Sequence, residues 1–175
     1  MSNRMTTRTL VTLALLSAIE VALARFIVPM PNPTMRFSIE DVPIIVAGLL
    51  FGPVAGGCVG LVGDAVGCLF SGYGYNPIFA LPPVLIGVCA GLMRRLVLKK
   101  PGYLSILLSF LPAVVLGRVL WQSYWLAFFY GTHSFVWFLG TRAVQFAITS
   151  AVNAAVVYGL FRSKVFEHLG LWPAK

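Results

Sequence analysis

Residues 42–70 read VPIIVAGLLFGPVAGGCVGLVGDAVGCLF, and this apolar stretch decides how often the chain crosses a membrane. Its length would allow one helix, because a crossing needs roughly 20 apolar residues. If the amino-terminal arginines are cytoplasmic, one crossing here would place Arg94 and Arg95 outside, against the preference of Lys and Arg for the cytoplasmic side. Two crossings joined by a turn at residues 51–53 return both arginines to the inside. The sequence therefore predicts two short helices in this stretch.

The whole chain has the composition of an integral membrane protein. Of its 175 residues, 59% are hydrophobic and 10% are charged, with a mean hydropathy of +0.90, whereas about a quarter of the residues in a soluble domain are charged. Six spans fill this length, so we expect no attached ATPase or extracellular domain, and the net charge of +8 indicates membrane topology rather than nucleic-acid binding. We predict an all-α integral membrane protein with six transmembrane helices, cytoplasmic termini and one domain over residues 1–175, with spans at about 9–28, 42–51, 55–70, 78–98, 104–130 and 135–161.

Several ionisable side chains stay within or beside the spans after the cytoplasmic flanks are set aside. Nine of the thirteen Lys and Arg residues are such flanks, which leaves four arginines, and the connection 29–41 is expected outside. Ionisable residues within a span usually face a cavity or a partner, because exposing them to lipid is unfavourable. Counting about 1.5 Å per residue from the outer helix ends predicts depths of about 5 Å for Arg25, 10 Å for Asp64 and Arg142, 12 Å for Glu20 and 18 Å for Arg118.

Three arginines then face two carboxylates in the outer half of the bundle. They cannot all pair, and the surplus suits an anionic ligand, because a guanidinium holds a carboxylate through a planar, two-bond fork. Internal ion pairing is the alternative, in which Glu20 or Asp64 simply neutralises an arginine.

Aromatic and amide side chains lie near the same predicted depth. Arg118, Gln122, Trp125 and Phe129 have helical spacing on one face, and flat rings beside amides and arginines suit a planar heteroaromatic acid. Trp and Tyr also anchor helices at membrane interfaces, which is the alternative for the tyrosines. The candidate substrate-binding residues are Arg25, Arg36, Asp64, Tyr75, Asn76, Phe79, Trp121, Gln122, Trp125, Arg142 and Gln145.

The sequence lacks the common signatures of catalysis and of nucleotide binding. There is no H-E-x-x-H, no G-x-S-x-G and no glycine-lysine phosphate loop. Cys58, Cys68 and Cys89 stand alone in apolar segments without metal-ligand spacing. We therefore expect no cofactor, no metal and no enzymatic activity. If the chain transports a ligand, another subunit must supply the energy.

Four segments resemble the substrate-binding S components of energy-coupling-factor (ECF) vitamin transporters, most closely the folate-specific branch. They are ALLSAIEVALARF at 14–26, the 42–70 region, GYGYNPIFAL at 72–81 and LWQSYWLAFFYG at 120–131. The AGLLFGP run followed by G-x-x-x-D-x-x-G is the most specific part. The chain departs from the branch at Gln122, a longer amide, and at Gln145, where a lysine is usual.

The resemblance implies a membrane bundle that binds its vitamin with high affinity on the outer side. It also implies a transmembrane coupling protein and two cytoplasmic ATPases as partners, with the Ala14 and Ala18 face of the first helix as the docking surface, although small residues four apart also serve ordinary helix packing. The implied ligand is folate or a related pterin, and the implied location is the prokaryotic cell membrane. The alternatives are another anionic or heteroaromatic vitamin and, more remotely, a small intramembrane enzyme or a membrane adaptor.

Overall fold

The structure is a bundle of apolar helices. The computed structural model describes residues 6–25, 38–71, 76–99, 102–130, 134–163 and 165–168, and all regular secondary structure in these ranges is helical. The helices are α1 (Thr7–Arg25), α2 (Asp41–Phe51), α3 (Pro53–Ser71), α4 (Pro77–Leu92), α5 (Arg94–Lys99), α6 (Tyr103–Ala113), a π-helical segment (Val114–Trp121), α7 (Gln122–Tyr130), α8 (Phe135–Arg162) and α9 (Val165–His168).

Helix length separates the spans into two groups. Within the described residues, Thr7–Ala24, Tyr103–Phe129 and Phe135–Arg162 are long and apolar enough to cross a bilayer, while the stretches Asp41–Phe51, Pro53–Leu69 and Pro77–Leu92 are apolar but shorter. Helix α2 has 11 residues, so it is about 16 Å long against a hydrocarbon core of about 30 Å. The chain thus has the predicted all-helical architecture, although α2 is too short to cross a membrane alone.

Two predicted spans are less regular than a single α-helix. The stretch expected at 78–98 forms two helices that meet at Met93, whose N–H bonds to the Cys89 carbonyl. The stretch expected at 104–130 contains the π segment, where the N–H of Gln122 bonds to the carbonyl of Gly117, five residues back. The wider turn changes the relative direction of side chains before and after residue 121, so Arg118 and Gln122 do not follow simple α-helical spacing.

Glycines allow α2, α3 and α4 to pack with their backbones in contact. A Cβ atom on Gly48 or Gly56 would overlap the Gly87 carbonyl oxygen, and one on Gly91 would overlap the backbone of Pro53. Small residues that permit such approaches are the usual means of helix association in membranes. These contacts pack α2 and α3 closely against α4, which is their shared partner.

The turn at Gly52 fixes the level of Asp41 inside the bundle. Gly52 has φ 101°, a left-handed conformation that favours glycine, and a Cβ on Gly56 would overlap Gly48 Cα, so α2 and α3 run side by side in opposite directions. Asp41 is the first residue of the 11-residue α2, at the end away from Gly52. It therefore lies beside Gly63 of the antiparallel α3, and α3 continues about 12 Å beyond this position to Ser71. The connection expected outside at 29–41 thus ends within the bundle.

Candidate functional site

The centre of the site is an ion pair between the π segment and the start of α2. Arg118 Nη2 donates a hydrogen bond to Asp41 Oδ1 and lies 3.1 Å from Glu40 Oε1. The side chains of Arg118 and Asp41 are 12% and 4% exposed, so water screens their interaction little. Two carboxylates of the chain itself therefore neutralise Arg118.

This pairing changes the predicted balance of charge. Glu40 and Asp41 join Glu20 and Asp64 to form what we call the acidic cluster, and Arg118 interacts electrostatically with Glu40, Asp41 and Asp64. Arg118, one of the three arginines in the predicted surplus, is therefore already paired with carboxylates of the described chain. The ion pair also contradicts the combination of a depth of about 18 Å for Arg118 with an outer connection that includes Asp41.

Glu20 and Asp64 occupy the part of the acidic cluster formed by α1 and α3. Glu20 is 5% exposed and packs against Gly63, where any Cβ would overlap its carboxyl group. Asp64 is half-buried, with the Cys68 thiol 4.0 Å from its Oδ2. Neither carboxylate forms a salt bridge with Arg118 or Arg142, the two buried arginines whose side chains the structure describes. The alternative of simple internal ion pairing is thus unsupported in these ranges.

Arg142 on α8 is the second cation of the site, and the residue is half-buried. Its guanidinium carbon lies 5.8 Å from the centre of the Phe146 ring, and Arg118 lies at the same distance from that ring. Such cation–π contacts stabilise a guanidinium but do not cancel its charge. The Arg142 Nε is buried without an acceptor, and no carboxylate in the described ranges forms a salt bridge with this residue. Arg142 is therefore suited to an anion that this part of the chain does not supply.

Four aromatic rings, which we call the aromatic cluster, join the start of α4 to α7. Trp125 stacks on Phe129 with ring centres 5.7 Å apart, Trp121 meets Trp125 at 5.8 Å, and Phe79 lies 6.4 Å from Phe129. The Trp121 indole donates to the Ile78 carbonyl at 2.9 Å. The structure thus brings together Phe79, Trp121 and Trp125, which the sequence predicted at one site.

The other predicted site residues fall into three groups. Asn76 caps α4, because its Oδ1 accepts a hydrogen bond of 3.1 Å from the Ile78 N–H. Gln145 is buried one turn from Arg142, and Gln122 has a buried Oε1 without a donor in the described part of the chain. Arg36, Tyr75 and the Arg25 side chain lie outside the described residues.

Sequence reasoning missed Glu40, Asp41 and Phe146. Glu40 and Asp41 stand next to each other just before an apolar run, so the sequence predicts an outer loop for both. Their partner Arg118 is 77 residues after Asp41, and only the shortness of the 42–51 run indicates that α2 begins inside the bundle. Phe146 lies four residues after Arg142, a helical spacing that could have indicated contact.

No group of three or more His, Cys, Asp or Glu suited to a metal ion occurs among the described residues.

Comparisons with known proteins place the chain in one family. The sequence model described as "ECF transporter, substrate-specific component" matches residues 8–161. The folate transporter FolT of Clostridium novyi (strain NT) is 28% identical over 151 residues, which are 86% of each chain.

Two solved structures share the fold. The crystal structure of FolT bound with folic acid matches with a TM-score of 0.74 and 26% identity, and the match covers 89% of this chain and 93% of that one. The S component for biotin from an ECF-type ABC transporter matches with a TM-score of 0.70 over 93% and 95% of the two chains, at 17% identity, which shows a common fold alone. The chain therefore belongs to the family of substrate-specific components of ECF transporters.

Proposed function

We propose that this chain is the membrane subunit that captures folate, with high affinity, for an ECF-type transporter. It performs no covalent chemistry, and uptake is driven by ATP hydrolysis on partner proteins. The proposal is supported by a relative named as a folate transporter and by a folic-acid-bound structure similar over most of the chain. The family match over residues 8–161 supports the role of a substrate-specific transporter component.

The observation that carries the proposal is the unpaired Arg142 beside an aromatic ring. The Arg142 guanidinium lies against Phe146 with its Nε buried, and no carboxylate in the described ranges neutralises it. Folate brings two carboxylates on its glutamate tail, and a buried guanidinium forms strong, directional bonds with such groups. A neutral vitamin would leave Arg142 without a counter-charge.

The rest of folate has chemistry that matches the other predicted residues. Its pterin is flat and aromatic, so it suits stacking beside Trp121 or Trp125, and its N–H edge suits a carboxylate such as Asp64 or an amide such as Gln122. We expect Arg25 and Arg36 to assist with the glutamate tail, and Tyr75, Asn76 and Phe79 to border the mouth.

Coupling to an energising module is the second half of the proposal. Ala14 and Ala18 are both exposed on α1, beside Leu10 and Leu15, each 59% exposed. Small residues four apart on an otherwise apolar face leave a groove for another helix. We propose that the transmembrane coupling protein docks there, with two cytoplasmic ATPases, in a prokaryotic plasma membrane that the chain crosses six times with both termini inside.

The direct test of the ligand is calorimetric titration of the purified protein in detergent. We expect saturable heat with folate and none with riboflavin or biotin at the same concentration. Co-purification of a fluorescent pterin from the expression host would point the same way. Binding of riboflavin or biotin in the absence of any response to folate would exclude folate as the substrate.

Replacing Arg142 with alanine should weaken folate binding by about 2 kcal/mol, roughly thirtyfold in Kd, because the ligand carboxylate loses a charged hydrogen-bond donor. Titration of the variant and the wild type measures this difference. A pterin without the glutamate tail should bind both proteins equally. Arg162→Ala is the matched control, since Arg162 is an exposed arginine at the end of the same helix. An unchanged Kd for folate would remove Arg142 from the site.

A further inference from the structure

Glu20 is a buried carboxylate that receives no hydrogen bond from the described chain. The residue is 5% exposed, and its Oε2 is fully buried without a donor. A buried carboxyl oxygen without a partner is unfavourable, because it has lost water and gained no hydrogen bond in return. Such an oxygen calls for a partner that the described residues do not supply.

The described surroundings of Glu20 carry more negative than positive charge. Within the part of the chain that the structure describes, its electrostatic neighbours are Glu40, Asp41 and Asp64 together with one cation, Arg118. Arg118 already donates to Asp41 and lies 3.1 Å from Glu40. None of the described residues therefore donates a hydrogen bond to Glu20.

The position of Glu20 is set by the backbone opposite it. The carboxyl group lies against Gly63, at the level where the start of α2 meets α3, and any Cβ at position 63 would overlap it. Gly67, one turn further along the same helix, has no atom of another described helix within 4 Å of a Cβ built there. The Glu20 carboxyl therefore occupies the space that a side chain at position 63 would fill, and this packing against Gly63 sets its position.

The site therefore has two ends of opposite character. The acidic cluster is at one end, and the unpaired Arg142 is beside Phe146 at the other, with Arg118 between them because it contacts both Asp41 and the Phe146 ring. We propose that Glu20 is a ligand-recognition residue, which accepts the paired N–H donors of a heteroaromatic head while the acid tail is held at the Arg142 end. The inference rests on the proposed function and extends it, since it requires a ligand that is donor-rich at one end and acidic at the other.

The first test measures the binding of two ligands to the wild type and to one variant. The ligands are folate and a folate analogue in which a methyl group replaces the 2-amino group, and the variant is Glu20→Gln, which keeps the shape and replaces one acceptor oxygen with a donor. We expect folate to bind Glu20→Gln at least about tenfold more weakly than the wild type, since a hydrogen bond to a charged group is lost. The methyl analogue should bind both proteins equally weakly.

The second test moves the Glu20 carboxyl without changing Glu20 itself. Gly63→Ala places a methyl group where the carboxyl lies, and because the carboxyl is the free end of a flexible side chain it can shift without unfolding the bundle. Folate affinity should fall in Gly63→Ala and remain unchanged in the matched control Gly67→Ala. In a Glu20→Ala background, adding Gly63→Ala should cause no further loss. Thermal unfolding of each variant shows that it is folded.

The outcomes separate the inference from the proposed function. Equal folate affinity in wild type and Glu20→Gln overturns the role of Glu20 and leaves folate capture in place. A loss of similar size for folate and the methyl analogue also overturns it, because a purely structural carboxylate would affect both ligands. If the wild type does not bind folate at all, the proposed function fails and this inference fails with it.

Discussion

Replacing Asp41 with asparagine is expected to lower the free energy of unfolding by about 3 kcal/mol, because it removes the nearest counter-charge of a buried arginine. Asparagine keeps the shape of the side chain, so the change is mainly one of charge. Arg118 would retain Glu40 alone, at 3.1 Å, in a region where its own side chain is 12% exposed. Unfolding in mixed detergent micelles, followed by circular dichroism, measures the difference.

The neighbouring carboxylate provides the control for this prediction. The Glu40 side chain is 25% exposed and forms the second contact with the same Arg118 nitrogen, so Glu40→Gln should cost about 1 kcal/mol or less. A double variant, Asp41→Asn with Arg118→Met, should be more stable than Asp41→Asn alone, since position 118 then no longer holds a buried cation that has lost its nearest counter-charge. Equal effects of Asp41→Asn and Glu40→Gln would show that burial does not distinguish the two carboxylates.

Tryptophan at Ala18, or at Ala14, should abolish folate uptake by cells while leaving the Kd for folate unchanged. Both alanines are exposed on α1, so the larger side chain need not disturb the interior. It would fill the groove that we propose for a helix of the coupling protein, and a helix that can no longer approach closely loses most of its packing contacts. Uptake of labelled folate and titration of the purified variant measure the two effects separately.

A tryptophan elsewhere on the exposed surface controls for nonspecific effects. Ala155 is an exposed alanine on α8, and Ala155→Trp should preserve both uptake and binding. If Ala18→Trp loses folate binding as well as uptake, the substitution has damaged the bundle, and the docking role of α1 loses its support. Normal uptake by both α1 variants would exclude that face as the docking surface.

The parts of the fold that follow a local rule could be predicted from the sequence. Apolar runs identified the helices, including the two that flank the turn at Gly52. Arg142 could be selected because an arginine inside an apolar run needs a reason to be there. Each of these inferences depends on residues within a few turns of one another.

The parts that depend on distant contacts could not be predicted. Arg118 and Asp41 are 77 residues apart, and nothing near either one indicates the other. The π segment changes which side chains share a face, yet it follows Pro112 without any distinctive sequence of its own. Counting depth along ideal helices therefore placed Arg118 in the wrong relation to α2. The charge balance of the site followed from that contact, which is why the acidic cluster was missed.

The short α2 has a consequence for how the protein is made. Its residues 41–50 are all buried, so it presents almost no surface to lipid, and its 11 residues are too few to cross the bilayer alone. An isolated α2 leaving the ribosome would therefore gain too little from lipid to remain in the membrane. We expect it to insert together with α3 as a helical hairpin closed at Gly52, and a nascent chain ending at residue 51 should remain accessible to proteases that a chain ending at residue 71 resists.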